Sequence, residues 1–141
     1  MTKIYEKIEH TSDIGLRIFG STLDELFVHA VHGVYDLAQI KGKESCIEQQ
    51  EHISIHGHDI EALLINLLNE IIFKLYTKKV TYKNIYISIQ GKDKDKVLNF
   101  KAETELFKSI DCETEIKAAT YHNIKVKKQG NIFTAEVIFD V

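Results

Sequence analysis

The sequence predicts an α+β fold, with mostly antiparallel sheet packed on two main helices, and three observations carry that expectation. Two long stretches, about 22–39 and 59–78, repeat apolar residues at helical spacing. Several runs alternate apolar and polar residues with period two, most clearly 14–19, 47–55, 85–90, 98–106 and 133–139. Those strand runs cluster in the second half rather than alternating regularly with helices, which points away from a parallel α/β sheet.

Each element has its own local signal. Ile14, Leu16 and Ile18 alternate with Gly15, Arg17 and Phe19, giving a strand that Gly20-Ser21 ends. Thr22-Leu23-Asp24-Glu25 has the form of a capping box, opening a helix that places Leu26, Phe27, Ala30, Val31, Val34 and Leu37 on one stripe until about Gln39. A strand is expected from Ile47 to Ile55, ending at Gly57. Asp59 is an N-cap for the second helix, whose broad apolar arc from Ile60 to Leu75 predicts burial against more than one neighbour. Turns are expected at Gly91–Asp95 and at Gln129-Gly130-Asn131, the second joining a hairpin.

The 141 residues match one domain, 1–141, able to bury roughly 70% of the surface of the unfolded chain. No linker, repeat or low-complexity tract divides it, and there is no proline. The start lacks the pattern of a signal peptide, and no apolar run approaches the roughly 20 residues of a membrane span. Cys46 and Cys112 lie far apart, outside any metal or redox spacing, as expected of free thiols in a reducing compartment; the expected address is cytoplasmic, with no membrane partner. A net charge of −3 and a single arginine, Arg17, argue against a protein that grips DNA or RNA by its own field. A role near RNA would run through a partner.

Two aspartates stand out. Asp13 and Asp140 occupy the polar register of their strands, and Val141 adds main-chain carboxylate oxygens. Three hard oxygen donors suit calcium, magnesium or manganese better than zinc. Spacing alone leaves two ordinary surface aspartates as the alternative. Two histidine groups compete. His52, His56 and His58 fall on one face of an extended strand, a possible zinc face for a stand-alone metal-dependent hydrolase or deaminase. Glu25, His29, His32 and Asp36 line the polar side of the first helix, where weak surface ion pairs are the plainer reading. Serine-nucleophile, cysteine-protease and phosphate-loop signatures are missing, so no self-contained catalytic machinery is evident.

Three segments together resemble the archease family: Glu9-His10-Thr11-Ser12-Asp13-Ile14-Gly15, Glu115-Ile116-Lys117-Ala118-Ala119-Thr120-Tyr121-His122, and Phe139-Asp140-Val141. The resemblance covers essentially the whole chain. It departs at Leu67, where many relatives have tryptophan, and at Ser12, where many have alanine; neither removes a candidate ligand. The resemblance implies a divalent-cation site formed by Asp13, Asp140 and Val141, with calcium the ion expected in a structure and magnesium or manganese as alternatives. It implies a phosphate or partner contact for Lys117, and supporting roles for His10 and His122. It further implies an accessory protein and not an enzyme, one that activates the tRNA-splicing RNA ligase. That ligase joins 2′,3′-cyclic-phosphate or 3′-phosphate ends to 5′-hydroxyls, and archeases promote its guanylylation by GTP and manganese and so its repeated turnover. RNA and GTP are then met only through the ligase. A chaperone-like binding module is the remaining alternative, and it requires exposed apolar surface.

Overall fold

The structure is a computed structural model that describes residues 3–9 and 13–141. Its elements run β1 (Tyr5–Glu9), β2 (Ile14–Gly20), α1 (Leu23–Ala38), β3 (Ile40–Gly57), α2 (Ile60–Lys78), β4 (Val80–Lys92), β5 (Asp95–Cys112), β6 (Ala118–Thr120), β7 (Val126–Gln129) and β8 (Ile132–Asp140). The strands form two antiparallel sheets. One has the order β1-β2-β8-β6, with β7 also paired to β8; the other has the order β3-β5-β4. The predicted α+β class, with two helices and antiparallel sheets, is what the chain adopts.

Both helices are set by their first residues. Thr22 is extended and its hydroxyl accepts from the Glu25 N–H at 3.1 Å, capping α1. The Glu25 carboxylate accepts from the N–H of Ser21 at 3.2 Å, one residue earlier than a standard capping box would have it. Asp59 caps α2 by accepting from Ala62 N–H at 2.7 Å. At the far ends Gln39 and Lys79 adopt left-handed backbone, φ 52° and 57°. That conformation reverses the chain within one residue, so β3 and β4 begin at once. The strands are therefore longer than the alternation suggested: β3 starts at Ile40, not Ile47, and β4 at Val80, not Ile85.

α1 packs on β2 and β4, and α2 on β3, β4, β5 and β6, so each helix bridges the two sheets. This explains the broad apolar arc of α2, from Leu63 to Leu75, all of whose leucines and isoleucines are buried. A single core results, with Phe27, Leu64, Leu68, Phe100 and Phe139 fully enclosed. Gly20 lets β2 meet α1 closely: a Cβ there would lie 2.5 Å from the Leu26 backbone nitrogen. Among the described residues no helix is long and apolar enough to cross a membrane.

Candidate functional site

The β2–β8 ladder decides where the two aspartates lie. Ile14 pairs with Phe139 and Gly15 with Ile138. Asp13 and Asp140 are the next residues beyond that last pair, so the ladder brings them to neighbouring chain positions although 126 residues lie between them. Leu16, Ile18, Val137 and Phe139 bury the inner face of both strands, so alternation leaves Asp13, half-buried, and Asp140, exposed, on the polar register. A one-residue slip would put Phe139 in water; the core thus fixes the acid pair.

Among the described residues the ion pairs are made elsewhere, and no lysine or arginine lies within 4.0 Å of Asp13 or Asp140. Nor do three side chains of metal-binding type cluster among the described residues. A cation held here would complete its shell with main-chain oxygens and water. The Asp140 carbonyl is already taken by the Lys117 N–H at 2.8 Å, which leaves those of Val141.

On the other edge of β8, Ala118 pairs with Asp140 and Ala119 with Phe139. Lys117 is therefore level with Val141, its backbone tied to Asp140 and its residue exposed. The outer edge of β6 has no strand beside it; α2 supplies the missing partners. Asn69 accepts from Ala119 N–H at 2.8 Å and donates to Ala119 C=O at 3.2 Å, so one side-chain amide stands in for a neighbouring strand. The Tyr76 hydroxyl accepts from Ile116 N–H at 2.8 Å, and the Tyr121 hydroxyl lies 3.4 Å from the Asn66 side-chain oxygen. These clamps were missed in the sequence. The signal was there: two asparagines three residues apart inside an otherwise apolar helical arc.

The remaining candidates lie elsewhere. His122 follows β6 on the side away from Asp140, near Asn123, Glu136 and Ile138 in a small cleft of about 120 Å³, and is not part of the acid pair. His10 falls outside the described residues. His52 and His56 do share the exposed face of β3, opposite half-buried Ile53 and buried Ile55. Four residues of strand separate them by about 13 Å, too far to share one ion. His58 lies beyond the strand, 3.3 Å from the Asp59 carboxylate. On α1, His29 meets the Phe19 carbonyl at 2.6 Å and Asp36 accepts from the Tyr5 hydroxyl at 2.6 Å, contacts that tie α1 to β2 and β1. Burial first and then the Asp36 carboxylate push Tyr5 up to about 12, which keeps its hydroxyl a donor. Burial, then neighbouring His29, holds His32 below its usual value. Arg17, the one guanidinium, is occupied by Glu6 at 2.6 Å and Glu136 at 2.8 Å.

The chain is similar to known proteins over nearly its whole length. The archease protein family matches residues 5–141. The archease of Thermoplasma volcanium is 33% identical over 97% of this chain and 98% of its own length, and that of Sulfurisphaera tokodaii 30% identical over 97% and 98%. The solution structure of protein 1598 of Methanobacterium thermoautotrophicum superimposes with a TM-score of 0.81 at 24% identity, covering 99% of this chain and all of its own. A crystal structure of an archease, possible chaperone, from Thermotoga maritima superimposes with a TM-score of 0.64 at 20% identity over the full length of both. With the family matched from the first strand to the last residue, the chain belongs to the archease family.

Proposed function

We propose that this chain is an accessory protein that activates an RNA ligase of the tRNA-splicing type, and that the corner formed by Asp13, Asp140, Val141 and Lys117 is the part that acts. What supports the proposal is that Asp13 and Asp140 flank Ile14 and Phe139, the last pair of the β2–β8 ladder, and that among the described residues no lysine or arginine lies within 4.0 Å of either. Two carboxylates directly opposite each other on paired strands repel; an arrangement that costs stability in the free chain invites a cation or a partner's positive group. The donor set is all oxygen, which fits calcium, magnesium or manganese. Asp13 and Asp140 would hold the ion by their carboxylates and Val141 by its main-chain oxygens, and a bound ion would supply a fixed positive centre for phosphate oxygens.

The chain's own residues account for the rest. β8 and β2 hold the carboxylates at fixed separation, and the Lys117 N–H fixes the Asp140 backbone. Lys117, exposed just before β6, would meet a phosphate or a partner carboxylate with its ammonium. No nucleophile or general base is needed for this role: the ligase would perform the guanylylation and joining, and this chain would help arrange metal and nucleotide beside it.

The test is ligase guanylylation and multiple-turnover RNA joining with wild type, Asp13→Ala, Asp140→Ala and Lys117→Ala, each checked for cooperative unfolding with no loss of metal-free stability. Stimulation by wild type and its loss in both aspartate variants is the expected result. An Asp13→Ala protein that is folded and stimulates normally would remove the acid pair from the function.

A further inference from the structure

Phe73 is the most exposed large apolar side chain on α2. It is 52% exposed on a helix whose leucines and other isoleucines beyond Ile60 are all buried. A lone exposed aromatic means little by itself, but its position is informative. Helical spacing puts Asn66, Asn69, Phe73 and Tyr76 on one stripe. The other three all bond the segment 114–121, in reverse order: Tyr76 to Thr114 and Ile116, Asn69 to Ala119, Asn66 to Tyr121. The segment therefore runs antiparallel along the stripe. Phe73 lies four residues past Asn69, about 6 Å of helical rise. The step from Ala119 back to Lys117 covers about 6.6 Å of extended chain. Phe73 is thus level with Lys117, whose N–H binds the Asp140 carbonyl. Val141, 39% exposed, is level with Lys117 on the opposite side.

By these levels the exposed phenyl ring and the exposed valine lie toward the end of the sheet that carries Asp13 and Asp140. The charged residues nearest the ring by helical and segment spacing are Glu70 one turn back on α2 and exposed Glu115, against Lys117. Lys74 is turned away to Glu51 at 3.2 Å. Interfaces are anchored by aromatic side chains that fill a partner pocket, with charged rims setting orientation and encounter rate. We infer that Phe73 is the anchor by which this chain docks on the ligase, entering an apolar socket rimmed by the ligase's lysine or arginine side chains. The inference rests on the ligase reading above and specifies the surface that delivers the acid pair.

The experiment measures binding of purified RNA ligase to immobilised wild type, Phe73→Ser, Phe73→Trp and Asp13→Ala, with guanylylation assayed in parallel. Because Phe73 is exposed, Phe73→Ser should melt like wild type yet bind roughly 30-fold more weakly, mainly through faster dissociation. Phe73→Trp should retain binding. Wild-type affinity in a folded Phe73→Ser, with activation still lost in Asp13→Ala, would overturn the docking role and leave the ligase reading standing. Failure of the wild type itself to bind or stimulate the ligase would overturn both.

Discussion

Replacing Asp140 by asparagine should make the free protein slightly more stable while abolishing any stabilisation by cations. Directly opposed residues on antiparallel strands have Cβ atoms about 5 Å apart. At that separation two unit charges repel by about 1 kcal/mol under the full screening of bulk water, the value taken for side chains that reach into solvent. Asparagine keeps the shape and the backbone bond from Lys117 and removes one charge. For a chain of this length 1 kcal/mol corresponds to about 3 °C in melting temperature, so metal-free Asp140→Asn should melt up to about 3 °C above metal-free wild type. With calcium or manganese at about 100 times its dissociation constant, wild type should gain about 2.7 kcal/mol, or about 8 °C. The variant should gain little, and the order of the two proteins inverts. Differential scanning calorimetry after chelation and after adding back each cation measures both effects. A wild type whose melting is indifferent to all three cations, or a metal-free variant that melts well below it, would refute the facing-carboxylate argument.

Three further outcomes follow from other parts of the fold. Asn69→Ala removes both bonds to the Ala119 backbone, which is 5% exposed and poorly placed to rehydrate; it should cost about 2–4 kcal/mol, and hydrogen exchange should show the Ala119 amide losing protection before those of β2. Gly20→Ala drives a methyl group against the Leu26 backbone and should lose about 1–3 kcal/mol in urea unfolding, the β2–α1 junction having to move apart. The Glu6 carboxyl is held low by hydrogen bonds from Lys3 and then from Arg17. Its stabilisation is complete above the ordinary value of 4.5 and disappears as pH falls through the lowered folded value, so Glu6→Gln should flatten the loss of melting temperature in that acid window.

Legibility differed between elements for physical reasons. Both helices were readable because a cap and a 3.6-residue stripe coincide at each start. β1 was not, because Tyr-Glu-Lys-Ile-Glu is an edge strand whose charges protect it from pairing and hide its alternation. The outer parts of β3 and β5 were missed because Lys41 to Gln50 are all exposed, and a strand without a buried face leaves no period-two signal. Two bulges, between Ile47 and Gln50 on β3 and between Lys83 and Tyr86 on β4, break the pattern further, on either side of Glu103 of β5. The candidate site was half legible. Residue type and register named Asp13 and Asp140, but their meeting depends on a ladder between chain ends that only the fold supplies. Lys117 had no local distinction at all; its place comes from the Asn69 clamp on β6.

That dependence bears on how the corner works. Asp13 is presented by β2, Asp140 by β8 and Lys117 by the lead-in to β6, and the last two lie more than a hundred residues from the first. No fragment of the chain contains the arrangement, and a partly folded chain presents separate aspartates rather than a facing pair. The strands are nevertheless fixed by residues remote from solvent: Leu16 and Val137 lock the β2–β8 register from the core side, while Asn69 locks β6 from the helix side. Side chains at the corner itself contribute little to the core and are free to serve recognition. Substitutions should therefore separate cleanly, with Leu16 or Val137 changes lowering metal-free stability and activation together, and Asp13 or Lys117 changes lowering activation in a protein whose metal-free stability is not reduced.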